Sequence, residues 1–520
     1  MAQRPNFLLV ITDQQSADHL GCYGARVLRT PHIDRVAAHG VSFDRFYVAS
    51  PVCMPNRATL MTGRMPSLHG VRHNGIPLSL DAVTFTELLR AADYRTAMVG
   101  KSHLQNMIDS PAMLKGETAT EARRLAPGRY EQEIATRWRD DPGHDLNLPY
   151  YGFDHVDLVI EHGDAAEGHY SRWLKARHPD PASLRGSANA LASGAVTLPQ
   201  AWRTSLTEDL YPTTYIAEKT VERLEAFAID RTRPFFLKCS FPDPHHPFTP
   251  PGRYWDLYRP TDVELPRSWR VRPESMPPHV RQLHAERDGG TRIATTTFPF
   301  AATERETREA IALTYGMITM IDDAVGRILD RLDALGLAGD TIVIFTSDHG
   351  DFMGDHQLLL KGPIHYQSLI RTPFIWSDPL LPATGRRGQL AGHIDFARTV
   401  LARAGVAPAN GMQGRALLPV IADGGVSGAR EVLIEEEGQR TCLGFAKPVR
   451  MRSLVTVDAR VSVYSSVQWG ELYDLSDDPD EMVNLWDDPR GAALKTHMLE
   501  RLGRSMIAAA DRSPAPLGLA

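Results

Sequence analysis

Four short runs of apolar, β-favouring residues do most to limit what this chain can become: Phe7–Thr12, Arg95–Val99, Phe235–Phe241 and Thr341–Ser347. Three are nearly continuous in apolar side chains, which suits parallel strands covered on both faces. Helical patterns lie between them. Thr214–Phe227 places Ile216, Val221, Leu224 and Phe227 at roughly helical spacing. Glu304–Leu335 carries a longer stripe, from Ile311 through Met317, Ile318, Ile321, Val325, Ile328 and Leu329 to Leu332, and stops at Gly336. Strands alternating with helices predict an α/β fold with a mostly parallel central sheet flanked by helices.

Each run ends in polar, chemically competent residues. Phe7–Thr12 leads to Asp13 and Gln14, and Arg95–Val99 to Lys101 and His103. Phe235–Phe241 leads to Asp243, His245 and His246, and Thr341–Ser347 to Asp348 and His349. Open α/β sheets bind ligands outside the carboxyl ends of their strands. Four strand ends therefore point to one site. Asp13, Gln14, Asp348 and His349 together supply carboxylate and amide oxygens and an imidazole nitrogen.

Between the first two runs lies Cys53-Met54-Pro55-Asn56-Arg57, followed by Ala58-Thr59-Leu60-Met61-Thr62-Gly63-Arg64. Pro55 suits a first helical turn, and Gly63 suits a helix exit. Cys53 is thus expected at a helix N-terminus, where an anion or anionic nucleophile is favoured. Arg57 adds a permanent positive charge one turn on. Over five residues a structural thiol before a capped helix would look the same. The longer stretch resembles the signature of type I sulfatases in the alkaline phosphatase superfamily, close to arylsulfatases and phosphonate monoester hydrolases. In that family the cysteine is oxidised to formylglycine (3-oxoalanine), an aldehyde whose hydrate is the nucleophile.

The resemblance extends along the chain. Gly100-Lys101-Ser102-His103-Leu104, Pro244-His245-His246-Pro247-Phe248 and Lys361-Gly362-Pro363 resemble further elements of the family. They imply Cys53, Arg57, Lys101, His103, His245 and Lys361 as catalytic residues, with Lys101, His245 and Lys361 also binding substrate. His246 is expected to pack or take a secondary role. Asn74, in Arg72-His73-Asn74-Gly75, resembles an asparagine that contacts the substrate oxyanion in phosphonate hydrolases. The implied metal site is Asp13, Gln14, Asp348 and His349 with converted Cys53, holding one divalent ion, Ca²⁺ or Mn²⁺. Many sulfatases carry Asp or Asn at the positions of Gln14 and His349; the imidazole moves preference toward Mn²⁺.

The activity implied by the resemblance is hydrolysis of small sulfate monoesters by an arylsulfatase-like mechanism. The hydrate attacks sulfur, His245 or Lys361 protonates the leaving oxygen, and His103 is the base that restores the aldehyde. The alternative is a phosphonate monoester or phosphodiester hydrolase, favoured by Gln14, His349 and Asn74 and opposed by Lys101 and His103. A formylglycine-generating enzyme is the implied maturation partner, and a homo-oligomer the expected assembly.

The 520 residues allow a large core and a second, smaller unit. Residues 1–405 read as the catalytic domain, with irregular insertions at about 106–199 and 250–300. Residues 406–520 read as an α+β C-terminal subdomain with an antiparallel sheet, built from runs such as Glu431–Ile434, Arg450–Val457 and Val461–Tyr464 and closed by a small-residue tail from Ser505. The net charge of −6 gives no basic field for nucleic acid. Four scattered cysteines, no secretory leader pattern and no membrane-length apolar run make a cytoplasmic enzyme without membrane association the expectation.

Overall fold

In the computed structural model, which describes residues 4–518 apart from 115–117, 119, 193, 195, 295–297 and 425–430, all four runs are strands of one sheet. The chain forms β1 (Asn6–Thr12), β2 (Val41–Tyr47), β3 (Arg95–Gly100), β4 (His155–Ile160), β5 (Glu167–Gly168), β6 (Phe235–Ser240), β7 (Phe300–Ala301), β8 (Thr341–Ser347), β9 (Leu358–Leu359), β10 (Phe374–Ser377) and β11 (Gly385–Gly392). Nine of these make a sheet in the order β11-β2-β10-β8-β1-β6-β3-β4-β5. β8, β1, β6, β3 and β4 are mutually parallel, whereas β10 and β5 run antiparallel to their neighbours. The expected mostly parallel sheet is therefore formed.

The central strands are apolar on both faces because both faces are covered. Leu8 and Val10 of β1 join Val99, Leu237 and Phe345 in a core under the helices Pro31–Ala38, Pro212–Ile229 and Glu304–Ala334. Phe7, Leu9 and Ile11 face the other way, with Met98, Phe236 and Ile344, toward the helices Cys53–Thr62, Phe85–Ala91 and His393–Ala404. The long helix opens on a capping box in which Thr303 and Glu306 satisfy each other's backbone amides.

A second sheet, β12 (Val432–Glu437), β13 (Arg450–Val455), β14 (Ala459–Tyr464) and β15 (Gly470–Asp474), is antiparallel throughout. Its outer face packs Leu454, Val461 and Leu472 against Met498 and Leu502 of the helix Ala492–Ala508. Its inner face packs Val432, Ile434 and Val455 against Tyr47, Val48 and Ile370. The helix runs to Ala508, so Ser505 is helical and not tail. Beyond it the chain docks: Asp511 accepts from Arg64 at 2.6 Å and the Ala509 carbonyl accepts from Gln413 at 2.6 Å. The last two residues of the expected tail lie outside the described residues.

Lys238 breaks the apolar pattern of β6. It is 2 % exposed and shares a strand face with Phe236. Burial, then the nearby Arg57 charge, pushes its ammonium down to about 7. The folded value lies below the unfolded one, so the unfolded chain holds more protons between pH 7 and about 10 and stability rises with pH across that window. Lys238→Met is expected to be more stable than wild type at pH 7, because it removes the cost of burying an ammonium, and to lose that pH slope. Denaturant unfolding at pH 7 and pH 9 checks this; a variant less stable at pH 7 with the slope intact would contradict it.

Candidate active site

The carboxyl ends of β1, β3, β4, β6 and β8 converge on one buried polar centre. Backbone contacts lock the ends together: Asp13 N donates to Asp243 O at 3.2 Å, Asp348 N to Thr12 O at 3.1 Å, and Lys101 N to Ser240 O at 2.9 Å. Gly100 is required at the β3 exit, where φ is +101° and a Cβ would lie 1.9 Å from the Ser240 carbonyl oxygen. Gln14 and His103 adopt left-handed backbone, with φ of 63° and 58°. Non-glycine residues held there mark sites where the surroundings dictate the conformation.

Cys53 begins the helix Cys53–Thr62, whose residues are all buried. The thiol therefore sits deeper than a strand–helix junction suggests, at 2 % exposure. Gly63 ends the helix in left-handed backbone, as expected from its position. The sulfur lies 3.0 Å from His349 Nε2, 3.1 Å from Lys361 Nζ and 3.8 Å from Asp13 Oδ1. Burial and Asp13 oppose ionisation of the thiol, but Lys361, His349 and Lys101 outweigh them and bring it below its ordinary value.

Arg57 ties the floor together. Its Nε donates to Asp348 Oδ2 at 2.8 Å, and its two terminal nitrogens donate to Asp13 Oδ2 and Ser240 Oγ, each at 3.1 Å. Burial would raise Asp13, yet Lys101 and Arg57 hold it well below the carboxylate range. Asp348 is also held low, against burial, chiefly by Arg57.

Asp13, Cys53, Asp348 and His349 bring their donor atoms within 4.8 Å of one another. His349 Nε2 lies 3.8 Å from Asp13 Oδ1 and 3.7 Å from Asp348 Oδ1. Gln14 adds an oxygen, since Asp351 Oδ2 accepts its amide NH₂ at 2.5 Å and leaves Oε1 facing Lys361 at 2.7 Å. The Lys361 ammonium thus lies among Gln14 Oε1, Cys53 Sγ and His349 Nε2, where a cation belongs electrostatically. The residues present fit a divalent ion.

A second group lines the β3, β4 and β6 ends. Lys101 Nζ donates to Asp13 Oδ2 at 2.5 Å and to His162 Nε2 at 2.6 Å. His162 stacks on His245, with ring centroids 3.6 Å apart, and His245 on His246 at 4.0 Å. His246 Nδ1 lies 3.2 Å from the Gln14 amide nitrogen. Burial and neighbouring positive charge keep His103, His162 and His245 well below the ordinary imidazole value. Lys361 is held above its ordinary value, because Cys53, Asp13 and Asp348 overcome burial.

Asp13, Gln14, Cys53, Arg57, Lys101, Asp348, His349 and Lys361 are therefore joined by direct contacts, and His245 packs against the group through His162. Asn74 stands at the rim, where its side-chain oxygen accepts from Met54 N at 3.1 Å, so it steadies the start of the Cys53 helix. His103 is buried beside this group, and its Nδ1 has no hydrogen-bond partner among the described residues. Its loop is pinned by Glu133, whose carboxylate accepts from the backbone of His103, Leu104 and Gln105 at 2.7–3.1 Å. Sequence reasoning missed Glu133, His162, Ser240 and Asp351. Asp351 stood in the Asp348-His349-Gly350-Asp351 run, and His162 comes after a strand by the same rule that exposed the other four ends. Glu133 and Ser240 carried no signal.

Residues 5–406 match the family described as Sulfatase, and residues 354–507 match that described as N-sulphoglucosamine sulphohydrolase, C-terminal. An arylsulfatase of Clostridium perfringens is 26% identical over 497 residues, covering 93% of this chain and 90% of its own length. A multifunctional alkaline phosphatase superfamily protein of Trinickia caryophylli is 28% identical over 538 residues, covering 98% and 96%. The crystal structure of the phosphonate monoester hydrolase of Agrobacterium radiobacter superposes with a TM-score of 0.77 at 25% identity, covering 98% of this chain and 97% of that one.

Proposed function

The chain belongs to the sulfatase family, and from that premise we propose that it hydrolyses small sulfate monoesters through residue 53. One observation carries the reading: the Cys53 sulfur stands at a buried helix start, within 3.0–3.8 Å of His349, Lys361 and Asp13. Conversion of Cys53 to formylglycine by a maturation enzyme would supply a hydrated aldehyde as nucleophile. A divalent ion, Ca²⁺ or Mn²⁺, held by Asp13, Gln14, Asp348 and His349 with residue 53, would supply Lewis-acid charge beside it. We place the catalytic domain at 1–405 and the C-terminal subdomain at 406–520.

The chain's own residues divide the remaining work. Arg57 fixes Asp13 and Asp348 against each other, so neither carboxylate turns when charge develops nearby. Lys101 and Lys361 bring their side-chain nitrogens to the site for a sulfate ester, and Lys361 is held above its ordinary value by Cys53, Asp13 and Asp348. His103 is held neutral by burial and by Lys101 and Arg57, the state a proton acceptor needs. The leaving oxygen takes its proton from Lys361 or His245. Only Lys361 carries that proton in the free site, since His245 is held neutral; His245 serves when the bound ester's own charge raises it.

The second reading, phosphonate monoester hydrolysis, is favoured by the donor pair Gln14 and His349. One experiment separates the two. Mass spectrometry of the peptide containing residue 53 is run beside kcat/KM for an aryl sulfate and an aryl phosphonate monoester. The expected result is conversion of the thiol to an aldehyde and a preference for sulfate. Lys101→Ser with His103→Thr should cut sulfate turnover about a hundred- to thousandfold and phosphonate turnover less, because the smaller side chains make room for the extra group on phosphorus. Wild type that cleaves the phosphonate far faster than any sulfate hands the assignment to the second reading.

A further inference from the structure

We propose that His162 is a positioning residue for the anion-binding side of this site, fixing the Lys101 ammonium through Nε2 and the plane of His245 through its ring. The inference rests on the hydrolase reading above for the reaction it serves, but its geometry is independent of which ester is cleaved. His162 lies just beyond β4, and Glu161 before it takes a left-handed φ of 64° that turns the chain at the strand end.

The contacts define the chemistry. An ammonium has only donors, so Lys101 Nζ donates to His162 Nε2 at 2.6 Å, and that nitrogen carries no proton. Asp13 Oδ2 takes a second Lys101 proton at 2.5 Å. Two of the three N–H directions are thus fixed, which sets the third. The ring also lies nearly parallel to His245, at 13° between planes and 3.6 Å between centroids. His245 Nδ1 is itself tied to the His246 carbonyl at 2.5 Å, so stack and hydrogen bond together hold its Nε2 in one direction.

Exposure separates His162 from its partners. The side chains of Lys101 and Asp13 have no accessible surface, whereas that of His162 keeps 13 %. The imidazole is therefore the partly accessible member of this three-residue contact.

Two substitutions divide the roles. His162→Phe keeps the stack and removes the acceptor. His162→Gln removes the stack and keeps an acceptor oxygen close to the Nε2 position. Wild type and both variants are compared by inorganic sulfate affinity, read as ligand-dependent thermal shift, and by kcat and KM for an aryl sulfate and an aryl phosphonate monoester. His162→Phe should weaken sulfate binding about tenfold and lower kcat/KM about a hundredfold for whichever ester the wild type cleaves, as a misplaced catalytic group does. His162→Gln should restore sulfate affinity to within threefold while kcat stays depressed, because His245 is no longer held flat. Loss of sulfate affinity in the Phe variant with rescue in the Gln variant supports the role even if the wild type proves to cleave phosphonates. Wild-type affinity and rates within threefold in His162→Phe, or equal losses in both variants without rescue, would overturn it.

Discussion

Cys53→Ala is expected to leave no measurable ester hydrolysis, a loss on the order of 10⁶, the scale seen when an enzyme loses its nucleophile. The reason is stoichiometric as well as kinetic. Hydrolysis through residue 53 needs one oxygen to attack and a second to expel the product, and alanine has neither. The structure adds a constraint on stability. Cys53 is wholly enclosed and its sulfur is engaged by Lys361 and His349, so the substitution opens a small hole beside a cation. That change should cost about 1 kcal/mol, the ordinary scale for one lost buried group. Lys361 retains Gln14 Oε1 at 2.7 Å as a partner. Rate and stability should therefore dissociate sharply, with turnover abolished and the thermal midpoint moved by a few degrees at most. Cys53→Ser is the informative companion. Its single hydroxyl can attack once but cannot expel the group it has taken, so it should stall after one turnover and gain the mass of one SO₃ group. Undiminished turnover by Cys53→Ala would remove residue 53 from the mechanism.

The legible parts of this molecule are those where burial acts on both faces of an element. β1, β3, β6 and β8 stand out because each strand is covered on both sides and so is apolar throughout. β2 and β4 escaped notice for the opposite reason. Val41–Tyr47 carries Asp44 and Arg45, and His155–Ile160 carries Asp157, so neither shows a clean run. β11, with the sequence Gly-Arg-Arg-Gly-Gln-Leu-Ala-Gly, is an edge strand whose first residues are largely exposed, and edges tolerate such composition. The stretch 106–199, irregular by sequence, contains β4 and with it the route to His162 and Glu133. The site divides the same way. Residues directly after apolar strands were visible. Those that orient them from a distance, such as Glu133 under His103 and Ser240 under Arg57, depend on which strands become neighbours, and no local pattern encodes that.

Arg57→Ala is expected to destabilise the fold by about 3–5 kcal/mol, the cost of breaking a buried ion pair by removing one partner. Arg57 is 1 % exposed and bridges Asp348 and Asp13, both fully enclosed. Without it Asp13 still has Lys101 at 2.5 Å, but Asp348 is left with the Gln14 backbone N–H at 3.0 Å and the His349 imidazole 3.7 Å away. Two carboxylates then share one cavity with one cation fewer. Arg57→Lys should recover little, since a single ammonium on a shorter stem cannot reach both carboxylates and Ser240 as the guanidinium does. The pH effect has a definite sign. In wild type both carboxyls sit below their ordinary value, so they stabilise the fold above the unfolded value near 4 and that contribution is lost as pH falls through the depressed folded ones. Removing Arg57 lets those values rise, and acid unfolding should begin at higher pH. A divalent ion offers the test that separates this from simple damage. If Asp13 and Asp348 are the carboxylates of the metal site, Ca²⁺ or Mn²⁺ replaces part of the missing charge and should recover about 2.7 kcal/mol at a hundredfold excess over its dissociation constant. Thermal unfolding of wild type and Arg57→Ala, each with chelator and with added ion, gives both numbers. A variant as stable as wild type in chelator would mean that the pair is not an electrostatic keystone. A variant that is destabilised but indifferent to the ion would detach Asp13 and Asp348 from the metal site.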